Sequence, residues 1–228
     1  MSALPQEDSA TPLLRQRGSR QRRCAVVAAS CFALILLAIA FLDRPLALLA
    51  HDHLHGLALF VALTYIPEYL MPLAAIILAG FAVSIAAGRR WPENAMVLLR
   101  CSLALAGAVT VKDQLKFAFG RTWPETWTNN NPSFIGNGVF GFSPFHGGQG
   151  WAAFPSGHTT AICAVAAVLW ICWPRLRWLY AATVALVVIG LLGADFHWLS
   201  DTIAGGFLGS AAGATAAAVG RAAGPERR

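Results

Sequence analysis

The sequence predicts an all-α protein, a polytopic membrane bundle of about six transmembrane helices. Three observations predict it. Hydrophobic residues make up 57% of the chain and charged residues only 12%, against roughly 45–50% and 25% in a soluble domain. The apolar residues gather into runs of about 18 residues, close to the length that crosses ~30 Å of hydrocarbon at 1.5 Å per residue. Arginines cluster at alternate ends of those runs, as topology requires of a spanning protein.

Residues 1–23 form a polar tail that ends in Arg15, Arg17, Arg20, Arg22 and Arg23, expected to be disordered and cytoplasmic. The membrane domain covers 24–220. Its first span is Cys24–Leu42, read as an uncleaved helix because the cleavage-like Ala38-Ile39-Ala40 lies too late in the run for a signal peptide. Residues 43–69 are mixed and read as a surface or re-entrant segment. The second span is Leu70–Ala87 and the third Ala95–Val111, in which Arg100 must snorkel or pair. A Gly- and Trp-rich loop covers 112–155. The remaining spans are Ser156–Trp173, Trp178–Ala194 and Thr202–Val219, before a short basic tail at 221–228. The last span places Gly205, Gly209 and Gly213 four apart, a smooth seam for close helix packing.

Six spans put both termini on one side. Twelve arginines then fall in inner segments, while Arg44, Lys112, Lys116 and Arg121 fall in outer ones. This bias makes the 112–155 loop, the start of the fourth span and the end of the fifth share the outer face. No basic stripe interleaved with aromatics points to nucleic acid. Five cysteines, all in or beside apolar runs, read as small fillers and not as a disulfide framework.

Three segments carry chemistry. In Pro155-Ser156-Gly157-His158, proline and serine precede an apolar helix, so Ser156 can cap it and Gly157 lets an anion approach the free N–H groups. His197 and Asp201 lie four apart on one helical face, where a carboxylate fixes the imidazole tautomer and frees its other nitrogen. Lys112, Lys116 and Arg121 are outer-face cations suited to a phosphate dianion. His51-x-His53-x-His55, beside Asp52, has no matched distant ligand set and reads as an interfacial cluster, so no metal and no cofactor are expected.

Together these segments resemble the type-2 phosphatidic-acid phosphatase and haloperoxidase superfamily, whose motifs run K-x6-R-P, P-S-G-H and S-R-x5-H-x3-D. Lys116 and Pro124 fit the first, residues 155–158 the second, and His197 with Asp201 the third. The resemblance covers about residues 70–210. Trp123 and Leu191 stand where the family carries phosphate-gripping arginines, and Gly190 where it carries serine.

The resemblance implies a membrane lipid-phosphate phosphatase acting at the outer membrane face of a bacterial inner membrane. His197 is the implied nucleophile, Asp201 its orienter and His158 the acid and base. Ser156, Gly157, Lys116 and Arg121 are the implied phosphate ligands, and Lys112 or His146 are further candidates for the missing arginine contacts. Transfer of the phosphoryl group to a lipid acceptor, or lipid-phosphate binding or transport without turnover, are the alternatives.

Overall fold

The computed structural model describes residues 10–127 and 130–222. The expectations for residues 1–9 and 223–228 lie outside the described residues. Helix α1 spans Ala10–Leu37, so residues 10–23 are helical rather than the disordered tail expected of them. Leu, Arg and Gln dominate that stretch, and all three continue a helix at little cost.

The segment 43–69 also departs from expectation. The first helix runs through a π turn at Ala38–Leu42 into α2 (Asp43–Leu54). After a turn at Gly56, α3 (Ala58–Thr64) and a 3-10 turn (Ile66–Tyr69) lead into α4 (Leu70–Ala86). The two arms, Gly18–Leu54 and Ala58–Ala86, are each long and apolar enough to cross a membrane. Separate short surface helices would expose Leu57–Leu63 to water, whereas one long hairpin keeps them in apolar surroundings.

Helix α5 covers Glu93–Phe119, carrying Lys112 and Lys116 on helix rather than in the loop expected from 112. Gly120 ends it in the left-handed region, φ 58°, with its N–H on the Lys116 carbonyl at 2.9 Å. The loop that follows contains one short helix, α6 (Phe134–Asn137), capped by the Ser133 hydroxyl. Helices α7 (Gly157–Cys172), α8 (Arg177–Gly193) and α9 (Leu199–Ala222) complete the fold. Among the described residues five helical stretches are candidate spans, and α7 is a shorter apolar helix. Many large apolar side chains face outward, among them Phe32, Ile76, Val83 and Ile189. That inverts the soluble pattern and suits a lipid solvent.

The centre is the three-helix contact of α5, α7 and α9. Val97, Cys101, Ala104 and Ala108 of α5 meet Ala164 and Val168 of α7. The glycine seam behaves as expected: a Cβ on Gly209 would strike the Thr160 carbonyl, and one on Gly213 the Ala164 carbonyl. The backbones of α7 and α9 therefore approach as only glycine permits. Arg100 pairs within the bundle, its guanidinium donating to Cys172 Sγ at 3.9 Å. All five cysteines are free.

Candidate active site

Two helix starts build the site. At α7 the Ser156 hydroxyl accepts the Thr159 N–H at 3.4 Å and is fully buried. The Ser156 N–H donates to the Asp201 carbonyl at 3.1 Å, tying the start of α7 to that of α9. At α9 the Asp201 carboxylate accepts the Trp198 N–H at 3.2 Å and lies 3.2 Å from His197 Nδ1 through the same oxygen. The contact forms, but not on the helical face expected: α9 begins at Leu199, so His197 stands in the link before it and Asp201, in the first turn, reaches back to its ring, leaving His197 Nε2 free.

His197 is only 4% exposed. Burial pushes its imidazole down to about 4, against the opposing pull of Asp201. The ring is neutral at physiological pH and holds a free electron pair. It faces His158 with ring centroids 6.3 Å apart, and the Trp123 ring at 4.9 Å.

Both histidines line a cavity of about 560 Å³, with Lys112, Lys116, Gly157 and Glu68 as its other polar chemistry and Tyr65, Met71 and Trp127 among its apolar walls. Lys116 Nζ donates to the Ala152 carbonyl at 2.5 Å and sits over the Trp123 ring at 5.4 Å. Lys112 pairs with Asp113 at 2.6 Å. Glu68 Oε1 approaches His158 Nε2 at 3.7 Å. A larger apolar groove of about 730 Å³ lies between α7, α8 and α9, but no acid–base pair faces it.

Three expected phosphate contacts sit elsewhere. Arg121 is fully buried, donating to Asp201 Oδ1 at 2.5 Å, Ser200 Oγ at 2.6 Å and Asp43 Oδ2 at 2.7 Å. Its two terminal nitrogens are engaged behind the His197–Asp201 pair, its buried Nε has no hydrogen-bond partner among the described residues, and it does not line the cavity. The Ser156 hydroxyl is likewise used inside the helix start, by Thr159. His146 stacks on Trp151 at 3.7 Å, away from the cavity lining. At the two family arginine positions, Trp123 walls the cavity and donates to the Gln149 carbonyl at 2.7 Å, while Leu191 is fully buried among Ile162, Cys163 and Val187. Gly190 accommodates α3: a Cβ there would lie 2.7 Å from Leu63 Cβ.

Sequence reasoning left Asp43, Trp127 and Gln149 unassigned and could not place Glu68. An acidic residue next to Pro67 in an apolar run is the one signal for Glu68. The histidine cluster also gains what the sequence did not supply. His51 and His55 converge with Glu125 and Asp195, whereas His53 stays exposed.

The model of the PAP2 superfamily matches residues 96–224, which hold α7, α9, Lys112, Lys116, His158, His197 and Asp201. The chain belongs to the PAP2 superfamily. Among curated proteins, lipid A 1-phosphatases of Rhizobium johnstonii and Rhizobium etli are each 34% identical to it over 91 residues. Those residues are 40% of this PAP2 chain and about a third of either relative, 34% and 36%. The PAP2 fold extends further than that alignment. A crystal structure of a transmembrane PAP2-type phosphatidylglycerolphosphate phosphatase from Bacillus subtilis superposes with a TM-score of 0.53 at 18% identity, covering 87% of this chain and 98% of the other.

Proposed function

We propose that this PAP2 chain is a lipid-phosphate phosphatase that hydrolyses a phosphate monoester or diphosphate of a lipid through a phosphohistidine intermediate. The observation that carries the proposal is the His197–Asp201 pair facing His158 across a cavity that also holds Lys112 and Lys116. The nature of the relatives, lipid A 1-phosphatases, supports a lipid substrate.

His197 Nε2 attacks phosphorus while the bond to the lipid oxygen breaks, and protonated His158 gives its proton to that oxygen. Asp201 holds the Nδ1 proton and stabilises the charge that develops on the ring. Water then attacks the phosphohistidine, His158 takes the water's proton, and the P–N bond breaks to release inorganic phosphate. Glu68, 3.7 Å from His158, can pair with the imidazolium of the first step. Lys112, Lys116 and the Gly157 N–H neutralise the equatorial oxygens. The chain's own cations suffice for charge neutralisation in this scheme.

The apolar walls around Tyr65, Met71 and Trp127 suit acyl chains entering from the bilayer. The arginine bias supports a cavity at the outer face, and the bacterial relatives support an inner-membrane location. Phosphate release from a panel of lipid phosphates, comparing the wild type with His197→Ala, tests the reading. Release by the wild type alone, with a covalent phosphoenzyme trapped at His197, supports hydrolysis. Phosphate appearing on a second lipid instead of in water identifies a phosphotransferase. Lipid binding with neither outcome identifies a binding or transport protein, the reading favoured by Trp123 and Leu191 at the arginine positions.

A further inference from the structure

His51 and His55 are four apart at the end of α2, so both rings project from one face, with centroids 4.6 Å apart. Two carboxylates from distant parts of the chain meet them. His51 Nδ1 lies 3.1 Å from Glu125 Oε2 and 3.2 Å from Asp195 Oδ2. His55 Nδ1 lies 3.2 Å from the same Asp195 oxygen. One ligand atom from each of the four residues falls within 4.8 Å of all the others.

Hydrogen bonding alone accounts poorly for this convergence. A single Nδ1–H of His51 faces two carboxylate oxygens, and one Asp195 oxygen faces two imidazoles. The other oxygen, Asp195 Oδ1, is buried and has no hydrogen-bond partner among the described residues, and the Asp195 side chain is 0% exposed. A buried carboxylate oxygen without a partner is costly unless a cation or donor satisfies it.

From this geometry we infer that His51, His55, Glu125 and Asp195 form a binding site for a zinc-class divalent cation, separate from the catalytic cavity. Two imidazoles and two carboxylates are a zinc-type donor set; calcium and magnesium prefer oxygen alone. Bonds of about 2.0–2.2 Å in a tetrahedron separate neighbouring ligand atoms by about 3.4 Å, close to the 3.1, 3.2 and 3.2 Å of the three pairs above, with the remaining pairs within 4.8 Å. None of the four residues lines the cavity of about 560 Å³.

The cation ties together three pieces of chain: the end of α2, the start of the long loop at Glu125, and the α8–α9 link. Asp195 stands two residues before His197 and adopts φ 56°, a backbone conformation uncommon for residues with a side chain. Asp195 is therefore a positioning residue. The cation fixes the link from which His197 projects and touches no reacting atom.

The test uses the full chain, purified in detergent, stripped with a chelator, reloaded with zinc chloride and freed of excess metal by gel filtration. Metal content is measured, together with the visible absorption of a cobalt(II)-loaded sample. The wild type and His53→Ala retain one zinc per chain, and cobalt gives the intense bands of a tetrahedral site. His51→Ala/His55→Ala and Glu125→Gln lose the retained metal and those bands. Glu125→Gln, a near-isosteric change at a partly exposed loop residue, decides the matter if the double variant does not fold. A wild type that retains no zinc, or variants that hold zinc as the wild type does, overturns the inference. The readout needs no substrate, so it stands or falls independently of the phosphatase reading.

Discussion

Arg121 and Asp201 are joined by a 2.5 Å hydrogen bond with neither side chain exposed, and the same guanidinium holds Asp43 at 2.7 Å. Asp201 in turn holds His197. A cation from the long loop thus stands behind the carboxylate that holds His197, and the first helical arm supplies its counter-charge. Ser200 closes the set, its N–H and hydroxyl both donating to Asp43. Breaking a buried pair by removing one partner costs about 3–5 kcal/mol, because the remaining charge is uncompensated. Arg121→Met leaves two buried carboxylates facing each other. It is expected to lower the melting temperature in detergent sharply and to cut the folded yield. A variant that melts like the wild type contradicts the structural role given to Arg121.

Asp43→Asn separates the two ends of that network. It removes a charge from Arg121 but leaves the Arg121–Asp201 bond and the cavity residues in place. The expected outcome is a lowered melting temperature with kcat retained in the folded fraction. Asp201→Asn instead lowers both, because it also removes the orienter of His197. By analogy with other carboxylate–histidine pairs, the loss in kcat is about 10²–10⁴-fold. Steady-state kinetics normalised to folded protein distinguish the two variants.

In the proposed reaction Lys112 and Lys116 carry the phosphate-binding charge for which the resemblance leads one to expect arginines. A charge-assisted contact contributes about 1.5–3 kcal/mol, or roughly 10–100-fold. Lys116→Ala is expected to lower kcat/KM by that factor. Lys112→Ala is expected to do the same, although the Asp113 ion pair already offsets part of its charge. Lys116→Arg tests geometry: Nζ is fixed by the Ala152 carbonyl beside the Trp123 ring, so a longer planar group does not restore full activity. Equal rates for the wild type and both alanine variants remove the lysines from the site.

These relationships differ in how legible they are in the sequence. The Ser156 cap and the glycine seam follow from spacings of three or four residues at or within a helix, whereas the His197–Asp201 pair forms at that spacing with His197 in the link before α9. A helix converts such spacings directly into contacts. The six-helix plan follows from run length and charge. Arg121 is different. Its place among the outer-face cations suggests a phosphate ligand, yet its partners lie 78 and 80 residues away, and Asp43 falls in a stretch that reads as surface. The histidine cluster is similar: Asp195 is 140 and 144 residues from His55 and His51. Local periodicity specifies which side chains share a face. It says nothing of which distant carboxylate the packing brings to that face.

The start of α7 depends on the seam for its position, and adjacent glycines test this. A Cβ at Gly205 would lie 2.5 Å from the Ser156 carbonyl, 3.1 Å from Thr160 Oγ1 and 3.2 Å from the Thr160 N–H nitrogen. Two of these atoms are backbone, so relief requires moving the helix start that carries Gly157 and His158. At Gly206 a Cβ would meet only Thr159 Cγ2 at 3.7 Å and Cys163 Sγ at 3.8 Å, ordinary van der Waals contact. Overpacking of this kind costs about 1–3 kcal/mol. Gly205→Ala is therefore expected to lower the melting temperature. It is also expected to lower kcat, because His158 shifts relative to His197 and proton delivery is sensitive to displacements of about 1 Å. Gly206→Ala is expected to leave both near wild type, aided by alanine's better helix propensity. Similar melting temperatures and rates for the two variants would mean that α7 and α9 do not pack through Gly205 as described.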